Sequence, residues 1–254
     1  MFECKMPLFN PAPLRKEILE SMRDLAAKEQ AARYGAYSDG ILAGCGLFER
    51  SMEIGVDSGL VKYAGRIYVL PQRESVPYRA TDAWTVLKIQ FGSERLARDF
   101  RTFEGRLALD ENASILPNEI ELGRFKLKKG SRLRTEYVDF HDMETEYDTV
   151  NPINIPYAAV GEHTLSPVIM THFAREAYPY ATGPADIAFC TSCLANGGTM
   201  SRESIRLYLQ RRAGTDIGAP ENYELHSRLS DALADMKGSA RQIGHGQHDG
   251  VLLL

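Results

Sequence analysis

Between Asp39 and Leu70 the chain reads DGILAGCGLFERSMEIGVDSGLVKYAGRIYVL, a series of short apolar runs broken by glycines. The spacing predicts strands over 41–48 and 52–56, then a hairpin pairing 60–63 with 66–70. Ala64-Gly65 falls at the hairpin tip, where glycine accepts the positive φ that a tight turn demands. Lys62, Arg66 and Tyr68 alternate with apolar neighbours, the pattern of a half-buried antiparallel pair. The segment holds no arrangement of nucleophile, base or metal ligand. It reads as a folding module, and a scaffold or attachment role is expected ahead of an enzyme.

The β pattern continues. Residues 85–91 (TVLKIQF), 100–109 (FRTFEGRLAL) and 120–126 (IELGRFK) alternate apolar and polar positions. Gly92, Asn112, Pro117-Asn118 and Gly130 punctuate them. Short strands in series predict an antiparallel β-sandwich or partly open barrel.

Helical stretches flank this region. Residues 14–34 form a helix opened by Pro11 and Pro13 and closed by Gly35, with Leu14, Ile18, Met22 and Leu25 along one face. That face packs on the chain's own sheet or joins a partner. Residues 167–177, 184–195, 202–212 and 220–237 follow as helices, with Ser201 as an N-cap. The fold class expected is α+β, in four parts: a helical segment 1–38, an antiparallel β domain 39–160, a helical domain 161–237 and a flexible tail 238–254. The tail carries His245, His248 and the run Val251, Leu252, Leu253 and Leu254. It is either a loose end or a hook that docks on a neighbouring subunit.

Composition narrows the partners. The 254 residues are 44% hydrophobic and 25% charged, which is ordinary for a globular chain. A net charge of −4 gives no bulk attraction to nucleic acid or to an anionic membrane. No apolar run approaches the ~20 residues that cross a bilayer. The opening MFECKMPLFNP has no basic stretch followed by an apolar run, so no secretory leader is expected. Four cysteines, irregularly spaced, fit a reducing compartment.

Candidate chemistry is sparse. Cys190 and Cys193 form a lone CxxC; on one helix they are small core residues, and a zinc site or redox pair would need further partners. His245 and His248 have metal-sharing spacing on a poor platform. His141 with Asp142, Glu144 and Glu146 reads as an acidic strand edge facing solvent or a partner. A basic cluster, Arg124, Lys126, Lys128, Lys129, Arg132 and Arg134, has either solvated faces or an acidic partner such as the Asp142–Glu146 edge of another copy. GxxxxGK[ST] and GxSxG are both missing, so neither a helicase nor an α/β-hydrolase is supported. No catalytic residue, cofactor or metal is expected.

The phrases Gly44-Cys45-Gly46, Gly59-Leu60 and Tyr63 to Tyr68 resemble modules near the N-termini of phage tail-fibre and baseplate-associated proteins. The continuation through LGRFKL (122–127), RLRTEYVDF (132–140), DMETEYD (142–148) and IPYAA (155–159) resembles a family of prophage structural proteins. The resemblance implies a non-enzymatic tail or baseplate adaptor, a homo-oligomer bound to other phage structural proteins, made in the bacterial cytoplasm and carried in the virion tail. Its interaction residues would be Leu14, Ile18, Met22, Leu25, Leu252, Leu253 and Leu254. The alternative is a glycan- or small-ligand-binding β module for host attachment, with a groove near Trp84, Tyr78 or Tyr137.

Overall fold

The structure, a computed structural model, describes residues 16–97 and 100–246. The chain divides into two compact units, Met1–Tyr37 and Ser38–Leu254. The first holds one helix, α1 (Lys16–Tyr34), where Ala, Leu, Glu, Lys and Arg give high helix propensity. Gly35 closes it, its N–H reaching the Ala31 carbonyl at 2.8 Å.

The second unit is α+β. Its strands are β1 (Gly40–Gly44), β2 (Leu47–Arg50), β3 (Glu53–Val56), β4 (Gly59–Tyr63), β5 (Arg66–Leu70), β6 (Glu74–Pro77), β7 (Thr85–Phe91), β8 (Arg95–Ala97), β9 (Phe100–Thr102), β10 (Gly105–Asp110) and β11 (Glu119–Phe125). They form three antiparallel sheets of three strands, β1-β4-β5, β2-β3-β6 and β10-β7-β11, and a small β8-β9 pair. The sheets do not close into a barrel. The helices are α2 (Pro167–Ala177), α3 (Pro184–Ala195), α4 (Arg202–Ala213) and α5 (Asn222–Gly246). No helix among the described residues is long and apolar enough to cross a membrane.

Local chemistry explains the boundaries. The β4-β5 turn has positive φ at both Ala64 (48°) and Gly65 (72°), the geometry whose twist matches its strands. Ser166 caps α2 through its hydroxyl, which accepts from Val168 N–H at 3.2 Å, and Pro167 opens the helix. Ser201 caps α4 in the same way through Ser204 N–H at 3.1 Å.

Four expectations need correction. The strand expected over 41–48 breaks at Cys45, whose φ is 58°, so β1 and β2 join different sheets. The strand expected over 100–109 breaks at Phe103-Glu104 into β9 and β10. The acidic run is no strand: His141–Glu144 is a 3-10 turn. Finally, α5 continues to Gly246, so residues 238–246 of the expected tail are helical. An interior glycine such as Gly238 costs a helix about 1 kcal/mol, and Ala240, Arg241 and Gln242 carry the helix on to its glycine-bearing end at Gly244 and Gly246.

Two hydrophobic cores result. One joins the sheets through Ile41, Ile54, Leu87, Leu122 and Phe125; the other joins the helices through Phe140, Phe173, Leu229 and their neighbours. Asn222 links strand-side chain to helix: its amide donates to the carbonyls of Ile153 at 3.0 Å and Ile155 at 3.3 Å. The buried Arg202 guanidinium donates to His163 O at 2.7 Å, to Pro220 O and to Asn222 Oδ1.

Candidate functional site

Extended segments cover two sheet edges. Along β1, Ile41 N–H donates to Pro156 O at 2.9 Å, and Ala158 N–H donates back to Ile41 O at 2.8 Å. Along β11, Arg124 and Asn151 exchange backbone bonds at 3.1 and 2.7 Å. The edges of β5, β6 and β10 have no such strand cover among the described residues. All three line one cleft of about 420 Å³.

The cleft floor is apolar and buried: Cys45, Val56, Val61 and Leu122. Its walls are β5 from Arg66 to Leu70 and β10 from Gly105 to Leu107, with Ile89 and Phe91 of β7 behind. Charges of both signs, Arg66, Glu74, Glu104 and Arg106, complete its lining. The Arg66 guanidinium lies 3.9 Å over the Phe103 ring, a cation–π contact at the entrance. Tyr63 stacks on Phe91 with centroids 4.0 Å apart and planes 5° apart, and Tyr68 meets the same ring at 4.7 Å. The ring faces of Tyr63 and Phe91 are therefore turned to each other. Val69 is 62% exposed beside the cleft.

Burial pushes the Cys45 thiol up to about 11, so it stays protonated and is a poor nucleophile. Burial also raises the Tyr68 hydroxyl above its ordinary value. Gly59 is required below: a Cβ there would stand 2.4 Å from Cys45 Sγ.

The residues singled out in sequence fall elsewhere. Leu25 is 62% exposed on α1, as is its neighbour Leu19 at 50%. Ile18 and Met22 lie on α1 with side chains outside the described set; Leu14, Leu252, Leu253, Leu254 and His248 lie outside the described residues, and so does the His245 side chain. Cys190 and Cys193 sit on α3, fully buried. Burial pushes both thiols up to about 11. No group of three or more His, Cys, Asp or Glu able to hold a metal occurs among the described residues.

The basic cluster and the acidic run meet within one chain. Arg134 clasps Asp142 with two bonds of 2.9 and 2.7 Å. That contact holds the Asp142 carboxyl below its usual range. Lys126 pairs with Glu146, Arg124 with Glu121 at 2.5 Å and Arg132 with Glu49 at 3.0 Å. Asp142 and Glu146 of the acidic run, expected to face solvent or a partner, are thus engaged by their own molecule. Tyr78 is buried and donates to Glu49 at 3.0 Å; Tyr137 donates to Val150 O at 2.8 Å; Trp84 lies under the Lys126 ammonium at 5.2 Å. Clefts of about 410 and 330 Å³ open beside Tyr137 and Tyr78, while Tyr68, Phe91 and Phe103 gather in the cleft described above.

One sequence signal pointed there. Ile67, Val69 and Leu70 place apolar groups on both faces of β5, one face more than a half-buried strand needs. No family model, no curated protein and no solved structure matches the chain.

Proposed function

We propose that this chain is a structural assembly component, a tail or baseplate adaptor of the kind its phrases resemble, which self-associates through α1. One observation carries the reading: α1 stands as a unit of its own and exposes Leu19 and Leu25. An isolated helix of this length is marginal in water, because helical stability in proteins comes mostly from packing an apolar face. Lys16, Arg23, Lys28 and Arg33 are balanced by Glu17, Glu20, Asp24 and Glu29, so copies of the helix meet without net repulsion. The stripe Leu14, Ile18, Met22 and Leu25 then becomes the seam between copies. In this reading the protein is made in the bacterial cytoplasm, works in the virion tail beside other phage structural proteins, and has no catalytic turnover.

The test is sedimentation of the full chain and of a Leu19→Lys, Leu25→Lys double variant. The full chain is expected to be oligomeric. The variant is expected to be smaller, with less helical signal in circular dichroism. Equal size for both removes the self-association reading and brings forward the glycan- or small-ligand-binding alternative.

A further inference from the structure

We propose that the cleft between β5, β6 and β10 receives an extended strand, and that the strand is residues 247–254 of a second copy of this chain. The inference rests on the reading of the chain as an assembly component and names a second contact for it. Two sheet edges without strand partners among the described residues, β5 and β10, wall the cleft, and β6 reaches it through Glu74. Such edges offer rows of N–H and C=O groups that an added strand satisfies. The guest must therefore present extended backbone.

The floor of Cys45, Val56, Val61 and Leu122 calls for apolar side chains on that guest. Of the two long segments outside the described residues, 1–15 carries Pro7, Pro11 and Pro13. Proline lacks the N–H that a ladder needs. Residues 247–254, GQ-H-D-G-V-L-L-L read from Gly246, carry none and place four apolar residues in a row. As a strand these span roughly 13 Å, close to the roughly 16 Å of five-residue β5. Alternation turns Val251 and Leu253, or Leu252 and Leu254, onto the floor. The donor segment follows α5, which packs in the helical core, while the cleft belongs to the β core.

Amide hydrogen exchange on the full chain, over about a hundredfold range of concentration, tests the proposal. Amides of Arg66–Leu70 and Gly105–Asp110 should exchange at least about tenfold more slowly at the high end, since strand pairing shields them. A variant with Leu252→Asp, Leu253→Asp and Leu254→Asp should lose that protection and melt, at every concentration, where the unaltered chain melts at the low end. A Leu107→Arg variant should lose it too. Repeating the series with Leu19→Lys and Leu25→Lys separates the two readings, because protection in the cleft should survive the loss of α1 pairing. Protection that maps elsewhere, persists in the triple Asp variant, or does not change with concentration overturns the proposal; in the last case the strand comes from the same chain.

Discussion

Two buried ionisable side chains dominate at the level of single residues. Lys88 is fully buried on β7, its ammonium 2.7 Å from Asp110 and 2.8 Å from Glu119. Burial alone would lower its pKa, but the two carboxylates outweigh it and hold it above the ordinary value. Glu119 is equally buried and also accepts from Gln90 at 2.8 Å and from Leu116 N–H at 3.0 Å. Lys88→Met should cost about 3–5 kcal/mol in denaturant unfolding, because it strands a buried carboxylate. His226 makes the opposite case. Its ring stacks on Phe140 at 4.3 Å, and neither nitrogen has a hydrogen bond of good geometry. Glu144 Oε1 stands 3.1 Å from Nδ1 but off the donating direction. Burial, with the nearby His141, lowers the pKa to about 4. The unfolded chain takes up this proton near pH 6.5 and the folded chain does not, so stability is full above that pH and falls toward pH 4. The loss should approach ~3 kcal/mol. His226→Phe should flatten the urea midpoint between those pH values; an unchanged slope would show that burial does not govern this histidine.

At the level of elements, the β4-β5 hairpin gives a clean measurement. A Cβ at Gly65 meets nothing within 4 Å, so Gly65→Val strains only the backbone. It should cost on the order of 1 kcal/mol in thermal unfolding, and Ala64→Gly should recover a similar amount, since Ala64 also has positive φ. Elements with local punctuation were legible in the sequence. β5, β7, α2 and α3 have the bounds that alternation, Pro167, Pro184 and Gly65 announce. What was illegible depends on distant partners. β6 (ESVP) has no strand pattern and exists because β3 offers it an edge, with Ile54 opposite Val76. The break at Cys45 was marked, though not as a change of sheet, by its flanking Gly44, at φ 66°, and Gly46. Beyond the apolar residues on both faces of β5, the cleft is illegible for the same reason: β5, β6 and β10 lie in three different sheets, and only the fold brings them together. Of the two exposed leucines of α1, Leu25 belongs to the stripe that 3.6-residue periodicity picks out and Leu19 does not.

On the scale of the whole molecule, the body unites a β core and a helical core through the Asn222 and Arg202 hydrogen bonds. The contacts we propose with other copies use apolar groups, Leu19 and Leu25 on α1 and the floor of the cleft. Four of the six cations in the most basic stretch of the chain, meanwhile, are tied to its own carboxylates: Arg134 to Asp142, Lys126 to Glu146, Arg124 to Glu121 and Arg132 to Glu49. Charges spent inside one molecule exert little pull on another beyond a Debye length of about 8 Å at physiological salt. Encounter between copies should then proceed without electrostatic steering, at the roughly 10⁵–10⁶ M⁻¹s⁻¹ of unsteered pairs. Raising the ionic strength tenfold should leave that rate nearly unchanged in stopped-flow mixing, about as screening of an already neutralised surface requires. A particle built from such a part would be put together by collision and fit, at a pace set by how much of the protein the cell has made.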